Sequence, residues 1–148
     1  MNYHMKRDEQ KRSNSYDTDT AHRHGEMLAN RAKKNLRRLK STFEREQVDA
    51  FRIYDRDIPE VRAVVDWYKG ELLLSEYARE QTEQIPYLEI LSEHLASSFS
   101  LSADKIHCRK RQTRPKHGER YSRLDKSGIR MEIREGDLKF LVNLNDYL

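Results

Sequence analysis

VRAVVDWYKGELLLSEY, residues 61–77, decides the fold class. Its two β-prone runs, 61–66 and 72–77, flank WYKGE, and such runs around a glycine-containing connection read as a β-hairpin. The reading extends in both directions. Upstream, AFRIYD at 50–55 suits a short strand. Pro59 closes it, because proline supplies no ladder donor and biases its predecessor away from helix. Downstream, AREQTEQ at 78–84 is a polar link and Pro86 suits a first helical position. Leu88, Leu91, Leu95 and Phe99 then recur at spacings of three, four and four, which predicts a helix over 86–99. KIHCRKR at 105–111 is short and β-like, and QTRPKHGERYSRLDK at 112–126 is a basic loop. IRMEIRE and LKFLVNL form a last hairpin that turns at Gly136 and Asp137.

Before the first strand, Leu28, Ala32, Leu36, Leu39 and Phe43 mark one face of an amphipathic helix over 26–47. The rest of that cylinder carries Arg31, Lys33, Lys34, Arg37, Arg38 and Lys40. Residues 1–22 contain no aliphatic side chain beyond Met and one Ala, too little to offset the entropy of ordering. Residues 1–25 are therefore expected to be a disordered tail, followed by one domain over 26–148 with its sheet and helix body over 50–148. The expected architecture is α+β: a largely antiparallel sheet with one packed helix, preceded by the basic amphipathic helix.

Composition limits what such a domain does. The 148 residues hold 29 Lys plus Arg against 25 Asp plus Glu, a net charge of +4, and the apolar share is only 36%. A small core and much solvated surface follow. No run of about 18 apolar residues exists, so no membrane span is expected, and the polar start of the chain fits a cytoplasmic protein. A single cysteine, Cys108, excludes an internal disulfide framework. None of the five glycines falls in a GxGxxG or GxxxxGK[ST] pattern, so no nucleotide-binding loop is expected here.

The positive charge is clustered. Residues 105–123 hold Lys105, Arg109, Lys110, Arg111, Arg114, Lys116, Arg120 and Arg123 against Glu119 alone, and the first helix supplies a second cluster. Phosphates are the natural counterpart of such clusters, and Tyr121, amid the arginines, suits stacking on an unpaired base. A solvated basic face is the plainer alternative. Asp55 and Asp57, two apart, resemble a two-carboxylate metal site, although turn chemistry before Ile58–Pro59 is the stronger explanation. His22, His24, His107 and His117 form no zinc pattern. Cys108 reads as a small buried side chain, Trp67 and Tyr68 as core packing, and Asp66, Glu76 and Glu132 as carboxylates on a wet strand face.

Five runs in order carry a resemblance. They are Asn30-Arg31-x-x-Lys34-Asn35-Leu36, Tyr54-Asp55-Arg56-Asp57-Ile58-Pro59-Glu60, Val65-Asp66-x-Tyr68, Glu76-Tyr77, and Gly136-x-Leu138-Lys139-Phe140-x-Val142-Asn143-Leu144-x-Asp146-Tyr147-Leu148. From about residue 27 to 148 the chain resembles the region just upstream of the catalytic domain in bacterial 23S rRNA guanine-N7 methyltransferases. These are the N7-methylating halves of bifunctional large-subunit rRNA methyltransferases, or their standalone relatives. In that family an Asp-Thr-Gly-containing segment and an S-adenosylmethionine domain follow, and the residues here stop before both. The resemblance implies an RNA-binding accessory portion, inactive and cofactor-free by itself, whose partners are 23S rRNA and a C-terminal methyltransferase domain. It implies phosphate contact by Arg31, Lys34, Arg38, Arg109, Arg111 and Arg120, and stacking by Tyr121. Asp55, Asp57 and Asn143 are then structural or interdomain. Two other readings are a small metal-dependent nuclease or transferase using Asp55 and Asp57, and a basic module that docks an acidic protein.

Overall fold

The structure, a computed structural model, describes residues 16–112 and 130–144. Helix α1 runs from Thr18 to Arg45. Strands β1 (Ala50–Asp55), β2 (Ala63–Tyr68) and β3 (Glu71–Tyr77) follow, then helix α2 (Tyr87–Phe99) and strand β4 (Ile106–Arg111). Strands β5 (Met131–Glu135) and β6 (Leu138–Val142) complete the series.

The first four strands form one sheet in the order β1-β2-β3-β4. β1–β2 and β2–β3 are antiparallel, while β3 and β4 are parallel, Ser75 lying beside Arg109. The parallel step is forced by α2, which carries the chain back across the sheet between β3 and β4. β2 and β3 join through Lys69 and Gly70, with φ of 52° and 91°. Such a left-handed pair matches the twist of a two-residue hairpin, and Gly70 adopts it without penalty.

Both helices cover one face of this sheet. Leu28, Ala32 and Leu36 of α1 and Leu91 and Leu95 of α2 pack with Ile53, Val65, Leu72, Leu74 and Ile106 in one buried cluster. Burying a Leu, Ile or Val side chain stabilises by roughly 1.5–3 kcal/mol, so this cluster is the main source of cohesion. Cys108 packs at its margin, as expected, and burial pushes its thiol pKa up.

The tail expected over 1–25 is corrected from Thr18 onward, where the chain is helical. Asp17 caps the helix by accepting from the Thr20 amide at 2.7 Å, a bond that holds its carboxyl below the usual value. The first turns are then fixed by contacts with α2. His24 Nδ1 and the Tyr87 hydroxyl are hydrogen-bonded at 2.8 Å, and His22 Nδ1 and His94 Nε2 at 2.9 Å. Gly25 lies under the His94 ring, so close that a Cβ there would stand 2.5 Å from His94 Cδ2.

Glu76 is a second correction. It is 1% exposed, and its Oε1 accepts from the Thr82 hydroxyl at 2.9 Å. Desolvation raises its pKa against that bond. Trp67 is partly buried against the core, with Lys40 of α1 5.8 Å from its ring centre.

The last hairpin has the expected strands and turn but forms a sheet of its own. Residues 47–49 carry it. Val48 bridges Glu135, the Asp49 amide donates to Arg134 O at 2.9 Å, and the Gly136 amide donates to Gln47 O at 3.1 Å.

Candidate nucleic-acid interface

The helical period that buries Leu28, Ala32 and Leu36 turns Arg31, Lys34 and Arg38 outward, three and four residues apart. All three are exposed, as is Arg37. Among the described residues no carboxylate forms an ion pair with any of them. Lys33, at the edge of this face, donates instead to Ser98 O of α2 at 3.1 Å. The result is a run of exposed cations along one face of the helix.

Arg109 and Arg111 sit elsewhere. They alternate along β4 with Ile106 and Cys108, whose side chains belong to the core, so they leave the sheet on the face away from the helices. There the Arg109 Nη2 donates to Leu144 O at 3.3 Å, and burial lowers the guanidinium pKa. Arg111 and Arg56 both approach the Tyr77 ring, at 5.9 and 5.1 Å from its centre. Arg52 pairs with Asp66 at 2.9 Å on the same face. The predicted cations therefore form two groups on opposite faces of the sheet layer, not one patch. Arg120 and Tyr121 lie outside the described residues.

Arg56 and Tyr77 are the members of the second group that sequence reasoning missed. The alternation of Arg109 and Arg111 signals a shared face, but only the register places Tyr77 beside Arg111.

Asp55 and Asp57 are occupied by turn chemistry. Asp57 Oδ1 accepts from the Asp55 amide at 3.0 Å and Oδ2 accepts from Asn35 Nδ2 at 2.9 Å. Asn35 also donates to Ile53 O at 2.7 Å, so the same carboxylate that closes the turn positions α1 against β1. Asp55 pairs with Arg56 at 3.1 Å and with Arg52 at 3.6 Å. Arg56 in this turn has a left-handed φ of 52°. Among the described residues no group of three or more His, Cys, Asp or Glu side chains could hold a metal ion. Both carboxylates are thus engaged by the chain's own donors.

Comparison with known proteins then bears on the reading. No family model matches the chain. It is 34% identical over 129 residues to the ribosomal RNA large subunit methyltransferase K/L of Stutzerimonas stutzeri, covering 84% of this chain and 18% of that protein. The namesake proteins of Ectopseudomonas mendocina and Syntrophotalea carbinolica are 38% identical over 132 residues and 35% over 128. These matches cover 84% and 82% of this chain and 18% of each relative. The chain is a homologue of one segment of the K/L methyltransferases. It spans less than a fifth of the length of the curated relatives it matches.

A K/L methyltransferase needs a methyl donor. The β3-to-α2 connection is the strand-to-helix crossover of this sheet, and residues 78–86 contain no glycine. Gly70 and Gly136 lie in hairpin turns and Gly25 lies within α1. The β3-to-α2 crossover therefore lacks a glycine-rich turn that would let the backbone approach a nucleoside cofactor closely. No helix of the described K/L segment is long and apolar enough to cross a membrane.

Proposed function

We propose that this chain is the RNA-contacting accessory segment of an S-adenosylmethionine-dependent 23S rRNA methyltransferase that modifies guanine N7. It holds the RNA backbone while the methyl donor sits in a domain outside these residues. The supporting observation is the outward face of α1, where Arg31, Lys34 and Arg38 are exposed with no ion-pair partner among the described residues, on a helix anchored along its other face. Methylating a base ring nitrogen requires that base to be unstacked and presented. Phosphate contacts fix register and orientation without reading sequence, which is what an accessory segment supplies. On the far side of the sheet, Arg111 and Arg56 about Tyr77 offer a second point of contact for a nucleic-acid strand.

The test is titration of the chain with a 23S rRNA fragment and with an acidic polypeptide over a range of salt. RNA affinity should fall steeply as salt rises, by counterion release. An RNA affinity that is flat with salt, or weaker than that for the polypeptide, would overturn the reading. Calorimetry with S-adenosylmethionine should show no binding to the chain.

A further inference from the structure

The large hydrophobic side chains left exposed among the described residues all lie on β6: Leu138 at 62%, Phe140 at 43% and Leu141 at 64%. The register of the hairpin sorts its side chains into two faces. Met131 lies opposite Val142, Ile133 opposite Phe140 and Glu135 opposite Leu138, making one face apolar up to its tip. Glu132 and Arg134, with Leu141 and Lys139, make the other face largely charged. At the base of the apolar face, Met131, Val142 and Leu144 line a groove of about 270 Å³ whose other walls include Glu71, Lys105, His107 and Arg130. Toward the tip, Phe140 and Leu138 stand in solvent. On its outer side β6 pairs with no strand among the described residues.

A two-stranded ribbon with one apolar face is marginal in water until another layer covers it. This ribbon is held rigidly, because Asp49 and Arg134 lock its first strand and Lys69 Nζ donates to Glu132 O at 3.2 Å. Its size indicates what covers it. Five residues per strand at about 3.3 Å each, across two strands about 4.8 Å apart, span a projected footprint of only roughly 160 Å². Even with its side chains standing out, the face offers on the order of 300 Å² of accessible surface. A freely diffusing partner or a second copy needs about 800 Å² from each side. So small a patch suffices only for a partner already tethered, at an effective concentration near the millimolar range. The matched relatives carry this segment as 18% of a much longer chain.

From this, and resting on the function proposed above, we infer that the apolar face of β5–β6 is the seat on which the remainder of the methyltransferase polypeptide docks. The occupant presents an uncharged, apolar surface to Ile133, Leu138 and Phe140. It leaves the α1 cations on a different element and open to RNA.

The experiment grafts this chain in place of the matching segment of the Stutzerimonas stutzeri relative and measures hydroxyl-radical labelling of Phe140. Labelling should fall several-fold in the chimera relative to the isolated chain, and Leu138→Asp should restore it. Equal labelling in the two settings overturns the inference. The unmodified relative, labelled whole and as its excised matching segment, reads the same contact without a graft. Sedimentation of the isolated chain should show a monomer, and self-association lost on Leu138→Asp would assign the face to a second copy instead. Leu138→Asp should leave RNA affinity unchanged. RNA binding that is absent while Phe140 is still protected defeats the proposed function and leaves the docking face standing.

Discussion

Asp49 and Arg134 bond each other through main chain and side chain at once. The Arg134 amide donates to Asp49 Oδ2 at 2.7 Å, its guanidinium approaches Oδ1 at 3.2 Å, and the Asp49 amide donates back to Arg134 O at 2.9 Å. Burial opposes the charge on Asp49, but the bonds from Arg134 prevail and hold its carboxyl below the ordinary 3.8. This contact fixes the angle at which the hairpin leaves the body.

Asp49→Ala should therefore loosen the hairpin without unfolding the domain. Amide exchange over 131–142 should accelerate on the order of tenfold, while exchange in α2 stays unchanged. The sign with pH follows from the lowered pKa. The stabilisation is present above about 3.8 and is lost as pH falls through the folded-state value. The hairpin's protection factors in the native chain, exchange rates divided into the intrinsic rate at each pH, should therefore fall only in acid.

Glu76 has the opposite sign. Its folded-state pKa lies above 4.5, chiefly through desolvation. Its contribution is fully present below 4.5 and is lost as pH rises through the folded-state value. Glu76→Gln keeps an oxygen to accept from Thr82 and removes the charge. The variant should have a higher urea midpoint than the native chain at pH 8, with the gap closing near pH 4.5.

His24 loses stability on the acid side. Burial lowers its pKa from 6.5, so the unfolded chain takes up a proton first as pH falls. The urea midpoint should decline below pH 6.5, and His24→Gln should flatten that decline.

Gly25→Ala reads the closeness of α1 to α2. In an open helix the change would stabilise by about 1 kcal/mol. Here the new methyl meets His94 Cδ2 at 2.5 Å and Cγ at 2.7 Å, so a loss of roughly 1–3 kcal/mol is expected. The same change in a His94→Ala background should cost far less, which denaturation of the four chains of the double-mutant cycle would measure.

Replacing Arg31, Lys34 and Arg38 together by Ala should lower the slope of log affinity for RNA against log salt by roughly two, from about 0.7 per phosphate contact on a single strand. Asp57→Ala should leave that slope intact and lower the unfolding midpoint, because it frees Asn35 and the turn after β1.

Much of this fold is written in periodicity. The spacing of Leu88, Leu91 and Leu95 marks α2, and WYKGE marks the β2–β3 turn, because both signals are local. The start of α1 is not legible that way. Ala21, His24 and Gly25 make no aliphatic stripe, and they are ordered by Tyr87 and His94, more than sixty residues away. Glu76 looked solvated for the same reason: only the turn holding Thr82 reveals its burial. Of the candidate site, the outward stripe Arg31, Lys34, Arg38 was readable from helical spacing. The separation of that stripe from Arg109 and Arg111 was not, since charge clusters carry no information about which face of a sheet they leave.

The inward position of Cys108 has a practical consequence. The chain's one thiol is held against the core with its ionisation suppressed. A cysteine introduced at the tip of β6 or on the outer stripe of α1 would thus react first with a maleimide dye. Energy transfer between fluorophores could then follow the hairpin and the helix through an assembly cycle, with no native residue removed to clear the background.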